Sequence, residues 1–138
     1  MINFHTGDIL SANTDFIVIP INCENMFGAG LAKQFKQRFP EDYSSFMYKL
    51  FWDLIILVPG SIYTQNSFIF ATTKGHWKFP SQMTWIVDIL HSLKEKSGSI
   101  AFPPLGCGLG GLDPGEFCVL AKWFFAESKN SYELWDFK

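Results

Sequence analysis

The sequence has no apolar run long enough to cross a membrane. Its longest unbroken aliphatic stretch is residues 54–58, against the ~20 residues a transmembrane helix needs. No cationic segment leading into an apolar core opens the chain (Met1-Ile2-Asn3-Phe4-His5-Thr6-Gly7-Asp8), so no signal peptide is expected and the chain reads as cytoplasmic. A basic excess is missing too. Eleven Lys+Arg stand against 13 Asp+Glu for a net charge of −2, and Arg38 is the only arginine. Gripping bare nucleic acid along its backbone takes a cation for each phosphate contacted, so the charge argues against that mode of binding. Cysteine is sparse: Cys23, Cys107 and Cys118 are odd in number and show no C-x-x-C spacing. That excludes a disulfide framework and a zinc site. No cluster of His, Cys and carboxylates recurs at ligand spacing, so neither a metal nor a cofactor is expected. Repeats, low-complexity stretches and linkers are also lacking. With 138 residues, the chain reads as one domain over 1–138, and as a monomer.

What is present suits a real core: 48% of the residues are apolar, 17% are charged, and 15 are Phe. Residues 15–21 (D-F-I-V-I-P-I) form a β-branched, nearly continuous apolar run, the pattern of a strand buried on both faces. A loop follows, and Leu31, Ala32 and Phe35 then line one face of a helix that Pro40 interrupts. Tyr43, Phe46, Met47, Leu50 and Phe51 give a second helix its apolar stripe. Pro59-Gly60 marks a turn, and residues 61–64 and 67–73 flank Gln65-Asn66 as two short strands. Ile86, Ile89, Leu90 and Leu93 mark a third helix, and residues 99–102 a strand. Asp113-Pro114-Gly115-Glu116 is a helix start with a capping Asp, Pro at the first helical position and Glu completing a capping box. Phe117, Leu120, Ala121 and Phe124 give that helix its buried face. Residues 132–137 close the chain as a strand. Strands alternating with helices predict an α/β sandwich whose sheet is mixed and largely parallel, between helices. Ligands of such sheets sit beyond the carboxyl ends of the strands.

Two glycine-rich loops leave from that edge. Gly28-Ala29-Gly30 opens a helix, where close backbone approach and free N–H groups favour an anion. Gly106-Cys107-Gly108-Leu109-Gly110-Gly111 supplies consecutive N–H groups in a concave nest. Each loop alone reads equally as a tight turn; together they favour a diphosphate held from both sides. The second loop also contains G-x-G-x-x-G, with Glu133 placed as a ribose-binding acid would be in a dinucleotide fold. That reading leaves the first loop and the Lys74 region without a role. Neither loop ends in the G-K-[ST] of an NTPase.

Gly7-Asp8-Ile9-Leu10, Pro20-Ile21-Asn22-Cys23 and Gly28-Ala29-Gly30-Leu31-Ala32-Lys33 resemble the opening of a macrodomain. Thr73-Lys74-Gly75-His76-Trp77-Lys78 with Ser81, and Pro103-Pro104-Leu105-Gly106-Cys107-Gly108-Leu109-Gly110-Gly111-Leu112-Asp113, resemble its middle and end. The likeness runs from about Gly7 to Asp113 and is greatest to the ADP-ribosyl glycohydrolase branch, whose best-known member is an antitoxin that removes ADP-ribose from DNA bases. The resemblance implies a three-layer macrodomain sandwich, ADP-ribose as ligand or product, and ADP-ribosylated nucleic acid or protein as partner. It gives Asp8 to the adenine amino group, with Ile9 beside it. Capping a turn is the other reading of Asp8. Asn22 is given to the distal ribose, whose hydroxyls suit an amide that both donates and accepts; bridging loop backbone is its alternative. Gly28, Ala29, Gly30 and Leu31, and Gly106, Cys107, Gly108, Leu109 and Gly110, fall to the diphosphate loops, and Thr73 to the same site.

Lys74 matches the catalytic lysine of this branch. The bond to be cleaved lies at the anomeric carbon of the distal ribose and breaks through an oxocarbenium-like state. A neutral amine attacks the opened sugar to form a Schiff base, a form that partial burial or a neighbouring cation such as Lys78 or His76 favours. A protonated amine assists departure of the base. His76 is a candidate proton carrier, since imidazoles titrate near neutral pH; a hydrogen-bonded structural imidazole is the other reading. Trp77 either stacks on a base or fills the core. Gly110 departs from the relatives in which an aspartate follows G-C-G-L as acid/base, so the lysine–aspartate mechanism is not carried over. Cys23 and Cys107 read as small packing residues. Lys33, Lys36, Lys74 and Lys78 suggest a local basic rim. A further toxin-binding domain like the antitoxin's is not expected, so neutralising a toxin by direct binding is not implied. An ADP-ribose reader without turnover and an ADP-ribose 1″-phosphate phosphatase stand as alternatives to the glycohydrolase.

Overall fold

The structure is a computed structural model that describes residues 2–24, 26–76 and 78–136. Trp77 and the end of the last expected strand, Phe137, lie outside the described residues. The strands are β1 (Ile2–His5), β2 (Phe16–Asn22), β3 (Ile62–Gln65), β4 (Phe68–Lys74), β5 (Ser99–Phe102) and β6 (Ser131–Trp135). The helices are α1 (Gly30–Arg38), α2 (Pro40–Phe51), α3 (Met83–Lys94) and α4 (Pro114–Phe125), and a 3₁₀ turn covers Ile9–Ser11. Pro40 sits at the first helical position of α2, with Phe39, neither helical nor extended, as hinge. Its ring therefore ends one helix and starts the next.

The six strands form one sheet in the order β1-β6-β5-β2-β4-β3. All neighbours are parallel except β3 and β4, which make an antiparallel hairpin. The hairpin turns at Asn66, which has φ +53°, a conformation Asn tolerates better than most residues.

Strand alternation sorts the core into two halves. Ile17, Ile19 and Ile21 of β2, Phe68 and Phe70 of β4 and Ala101 of β5 pack with Ala32 and Phe35 of α1 and Phe46 of α2. Val18, Ile69, Ala71, Ile100, Phe102, Tyr132 and Leu134 face the other way, onto α3 and α4. This is the expected three-layer sandwich, and aromatic stacking locks both layers. Phe46 lies on Phe70 with ring centroids 4.0 Å apart, and Phe125 on Tyr132 at 3.8 Å. Such pairs add roughly 0.5–1.5 kcal/mol each beyond the area they bury. β2 lies between β4 and β5. After β2 the chain passes to one side, and after β4 it returns to the other, so a crevice opens beyond the carboxyl end of β2.

Candidate active site

The first loop is built around Asn22 and Phe27. The Asn22 side chain accepts from the amides of Glu24 (2.9 Å) and Met26 (3.2 Å) and donates through Nδ2 to the Met26 carbonyl (3.1 Å). Phe27, 5% exposed, sets its ring among Phe35, Tyr43 and Phe46. Anchored at both points, the chain delivers Gly28, Ala29 and Gly30 to the start of α1. Ala29 caps that helix without a side-chain hydrogen bond. Its first amides therefore point at the crevice uncapped, where helix N-termini attract anions. α4 differs: Asp113 accepts the Glu116 amide at 2.9 Å, as its sequence predicts.

The second loop is held by its glycines. Gly106 and Gly111 take φ +76° and +80°, and the Leu112 amide returns to the Gly106 carbonyl at 2.9 Å. A Cβ at Gly110 would stand 2.4 Å from the Gly106 carbonyl oxygen and 2.6 Å from Ser81 Oγ. Only glycine fits there, which accounts physically for the lack of an aspartate. The Ser81 amide donates to the Gly110 carbonyl at 2.9 Å and fastens the loop to the segment before α3. Among the described residues, no backbone carbonyl takes up the amides of Gly108, Leu109 and Gly110.

Between the loops lies a cavity of about 660 Å³. Asn22, Gly28, Ala29, Gly30, Leu31, Thr73, Lys74, Gly106, Cys107, Gly108, Leu109 and Gly110 all line it. The β2–β4 register shifts by one at this edge, so that Asn22 stands opposite Lys74 rather than Thr73. Irregularities of this kind re-aim side chains next to functional sites. Lys74 is only 9% exposed although it carries an ammonium group. The Cys23 amide donates to the Lys74 and Gly75 carbonyls at 3.0 and 3.1 Å, which ties the two strand exits together.

A second hollow of about 490 Å³ adjoins the first, and Leu31, Pro103 and Asp136 line both. Here Asp8 caps the 3₁₀ turn, accepting from the Leu10 amide (3.1 Å) and Ser11 Oγ (3.0 Å). Arg38 Nη1 donates to its other face. The guanidinium holds the Asp8 carboxyl below its ordinary value of 3.8. Ile9, Gln34, Arg38 and Trp135 complete the walls. Asp136, at φ +60°, accepts the Gly7 amide at 2.9 Å. Arg38, Trp135 and Asp136 were not legible as site residues. Arg38 is seven residues along α1 from Leu31, and Trp135 and Asp136 arrive from the far end of the chain.

Several expected residues stand elsewhere. His76 lines neither hollow. Its Nδ1 accepts the Lys78 amide at 3.0 Å and its Nε2 lies 3.2 Å from Glu24 Oε1, the arrangement of a structural imidazole. Glu133 lies 3.7 Å from His5 Nε2 and accepts Trp135 Nε1–H at 3.0 Å, and the strand order is not that of a dinucleotide fold. Lys33 and Lys36 lie outside both hollows, Lys36 with its ammonium 5.0 Å from the Tyr43 ring centroid. Burial, with Glu24 beside it, raises the Cys23 thiol. Burial, with Asp113 near, pushes Cys107 up to about 11. Neither sulfur is primed as a nucleophile. Among the described residues, no group of three or more His, Cys, Asp or Glu is placed to hold a metal ion, and no helix is long and apolar enough to cross a membrane.

A mostly parallel six-stranded sheet with two glycine loops over its switch point is the macrodomain architecture, and comparison with known proteins agrees. No family model matches the chain. A DNA ADP-ribosyl glycohydrolase of Mycobacterium tuberculosis is 33% identical over 124 residues, 82% of this chain and 35% of the relative. One from Thermus aquaticus is 32% identical over 123 residues, 81% of this chain and 34% of the relative. The chain thus spans about a third of the length of the curated relatives it matches. Among solved structures, the macrodomain of Thermus aquaticus DarG superposes with a TM-score of 0.85 at 27% identity, covering 99% of this chain and 98% of that one. Thermosipho africanus DarTG in complex with ADP-ribose gives 0.81 at 25% identity, over 96% of this chain and 41% of that one. The chain has the macrodomain fold and is similar to the DarG macrodomains over nearly the whole of both chains.

Proposed function

We propose that the chain is an ADP-ribosyl glycohydrolase that removes ADP-ribose from nucleobases of DNA. The observation that carries the proposal is Lys74: a lysine 9% exposed, opposite Asn22 in the sheet register, on the wall of a cavity flanked by two glycine loops. A module that only held ADP-ribose has no use for an ammonium placed there. Adenosine occupies the hollow beside Asp8 and Ile9. The diphosphate lies between the uncapped start of α1 and the amides of Gly108, Leu109 and Gly110, where fixed dipoles meet its charge without reorganising. The distal ribose then lies between Asn22 and Lys74.

Hydrolysis adds water at the anomeric carbon while the base departs with a proton. Lys74 serves this in one of two ways. It attacks the ring-opened sugar and releases the base before water cleaves the imine, or it donates the proton to the leaving base and is recharged from water. Gly110 leaves no room for a carboxylate partner, so the lysine is the principal catalytic group. The names of the relatives, DNA ADP-ribosyl glycohydrolase, support the same substrate.

The test is an oligonucleotide carrying base-linked ADP-ribose, offered beside glutamate- and serine-linked peptides and ADP-ribose 1″-phosphate. The oligonucleotide is expected to lose its label with the native chain and to keep it with Lys74→Ala, while calorimetry shows ADP-ribose still bound. Equal turnover by both chains refutes the assignment. Borohydride trapping of a covalent adduct separates the imine route from proton donation.

A further inference from the structure

Phe79 is a large aromatic residue left 65% exposed on the segment that joins Lys74 to α3. We propose that its ring is the platform on which the nucleobase carrying ADP-ribose stacks, a proposal that rests on the glycohydrolase reading above. The ring packs against His76. Its centroid lies 5.1 Å from that of the His76 imidazole, with the planes inclined at 48°, and the Phe79 amide donates to the His76 carbonyl at 3.1 Å. His76 is in turn held by the Lys78 amide at Nδ1 and by Glu24 at Nε2, at 3.0 and 3.2 Å. Glu24 belongs to the loop after β2, so the imidazole bridges two strand exits and buttresses the aromatic ring. On the other side, Ser81 is tied to Gly110 through its amide at 2.9 Å. The loop that Gly110 belongs to also carries Leu109, which is 77% exposed and lines the cavity.

Phe79 lines neither hollow; it belongs to the short connection that runs from Lys74, at the exit of β4, to Ser81, which is tied to the second glycine loop. In the proposal a leaving group attached to a ribose at Lys74 emerges along this connection. A fixed, solvent-facing π surface suits a planar base and offers little to an acidic or serine side chain. Charge points the same way. With a net charge of −2, recognition of nucleic acid beyond the ADP-ribose falls to base stacking rather than to phosphate contacts. His76 is then a positioning residue for Phe79, which gives its two fixed nitrogens a purpose outside the cavity.

The experiment compares the native chain with Phe79→Ala and Phe79→Trp on the base-linked oligonucleotide, on a glutamate-linked peptide and on free ADP-ribose. Phe79→Ala is expected to raise KM for the oligonucleotide about tenfold with kcat within about twofold, and Phe79→Trp to restore it. Calorimetric affinity for free ADP-ribose and any turnover of the peptide stay at native values. A Phe79→Ala chain that matches the native one on the oligonucleotide overturns the platform, as does an equal loss on all three ligands. The same oligonucleotide is also titrated into Lys74→Ala, where binding is read without turnover. Should the native chain release ADP-ribose from nothing, the glycohydrolase reading falls, and this arm decides the platform separately. Tighter binding of the oligonucleotide than of free ADP-ribose, lost with Phe79→Ala, sustains it, and no such difference ends it.

Discussion

Asn22 and Lys74 stand opposite each other where β2 and β4 end, and each is 9% exposed. The pairing joins loop architecture to chemistry, because the amide that shapes the first loop neighbours the amine assigned to the reaction. Asn22→Ala removes three part-buried hydrogen bonds, at 2.9, 3.1 and 3.2 Å, that hold the loop backbone at Glu24 and Met26. A loss of about 1–3 kcal/mol in urea unfolding is expected, with weaker ADP-ribose binding as the loop loosens. Asn22→Asp keeps the two acceptor bonds but loses the donor to Met26 and adds a negative charge beside the proposed ribose position, where it repels an anionic ligand. It should bind ADP-ribose more weakly than its stability alone would suggest.

Two glycines at the same cavity should respond in opposite ways. At Gly110 an added Cβ meets the Gly106 carbonyl oxygen at 2.4 Å. Backbone must move, and Gly110→Ala is expected to cost about 2–3 kcal/mol in thermal or chemical unfolding. At Gly28 a Cβ meets nothing within 4 Å, so Gly28→Ala should stay within about 0.5 kcal/mol of native stability. Its methyl nevertheless enters the cavity lining, and in the proposed binding mode calorimetry should show ADP-ribose affinity falling roughly tenfold. If Gly28→Ala left affinity intact while Gly110→Ala folded normally, the division between structural and ligand-facing glycines would be wrong.

The pairing of Asp8 with Arg38 gives the smaller hollow a pH response of definite sign. Hydrogen bonding to Arg38 lowers the Asp8 carboxyl from its ordinary value of 3.8. A depressed carboxyl stabilises the fold above that ordinary value and loses its contribution as pH falls through the lowered one. Both groups are exposed, so the effect on stability is small, and the useful measurement is the titration itself. Carboxyl NMR of Arg38→Ala should show the Asp8 midpoint moving up toward 3.8. In the native chain, ADP-ribose affinity should hold steady from about pH 7 to about pH 5.

The layers of this fold were legible because their periods are strong. Ile17, Ile19 and Ile21 alternate with Val18 about one strand, and Ile86, Ile89, Leu90 and Leu93 repeat at helical spacing. β1 was not read as a strand, since Ile2–His5 is a half-exposed edge of mixed pattern that becomes a strand only by pairing with β6. On the cavity wall, the glycine loops were readable from motifs with a local mechanism, and Lys74 from the family resemblance alone. Trp135 and Asp136 were not, because they reach the smaller hollow only through the parallel pairing of the last strand with the first. The reading of His76 as a proton carrier followed from the ordinary titration range of an imidazole, whereas its orientation depends on Glu24, whose loop follows a different strand.

Cys107 offers a test of the cavity wall that needs no substrate. Burial, with Asp113 near, raises its thiol to about 11, and the thiol lies 3.5 Å from the Leu105 carbonyl. A thiol raised in the fold favours the folded state below the unfolded value, and that contribution is lost as pH climbs through the folded one. Since only the thiolate reacts, alkylation of Cys107 should be slow at neutral pH and climb about tenfold per pH unit over the alkaline range. ADP-ribose should slow it further, because Cys107 lines the same cavity as Lys74. Cys107→Ser should retain glycohydrolase activity, since the sulfur has no part in the proposed chemistry. Rapid alkylation at neutral pH, followed under conditions where unfolding is negligible, would contradict the closed packing of this loop.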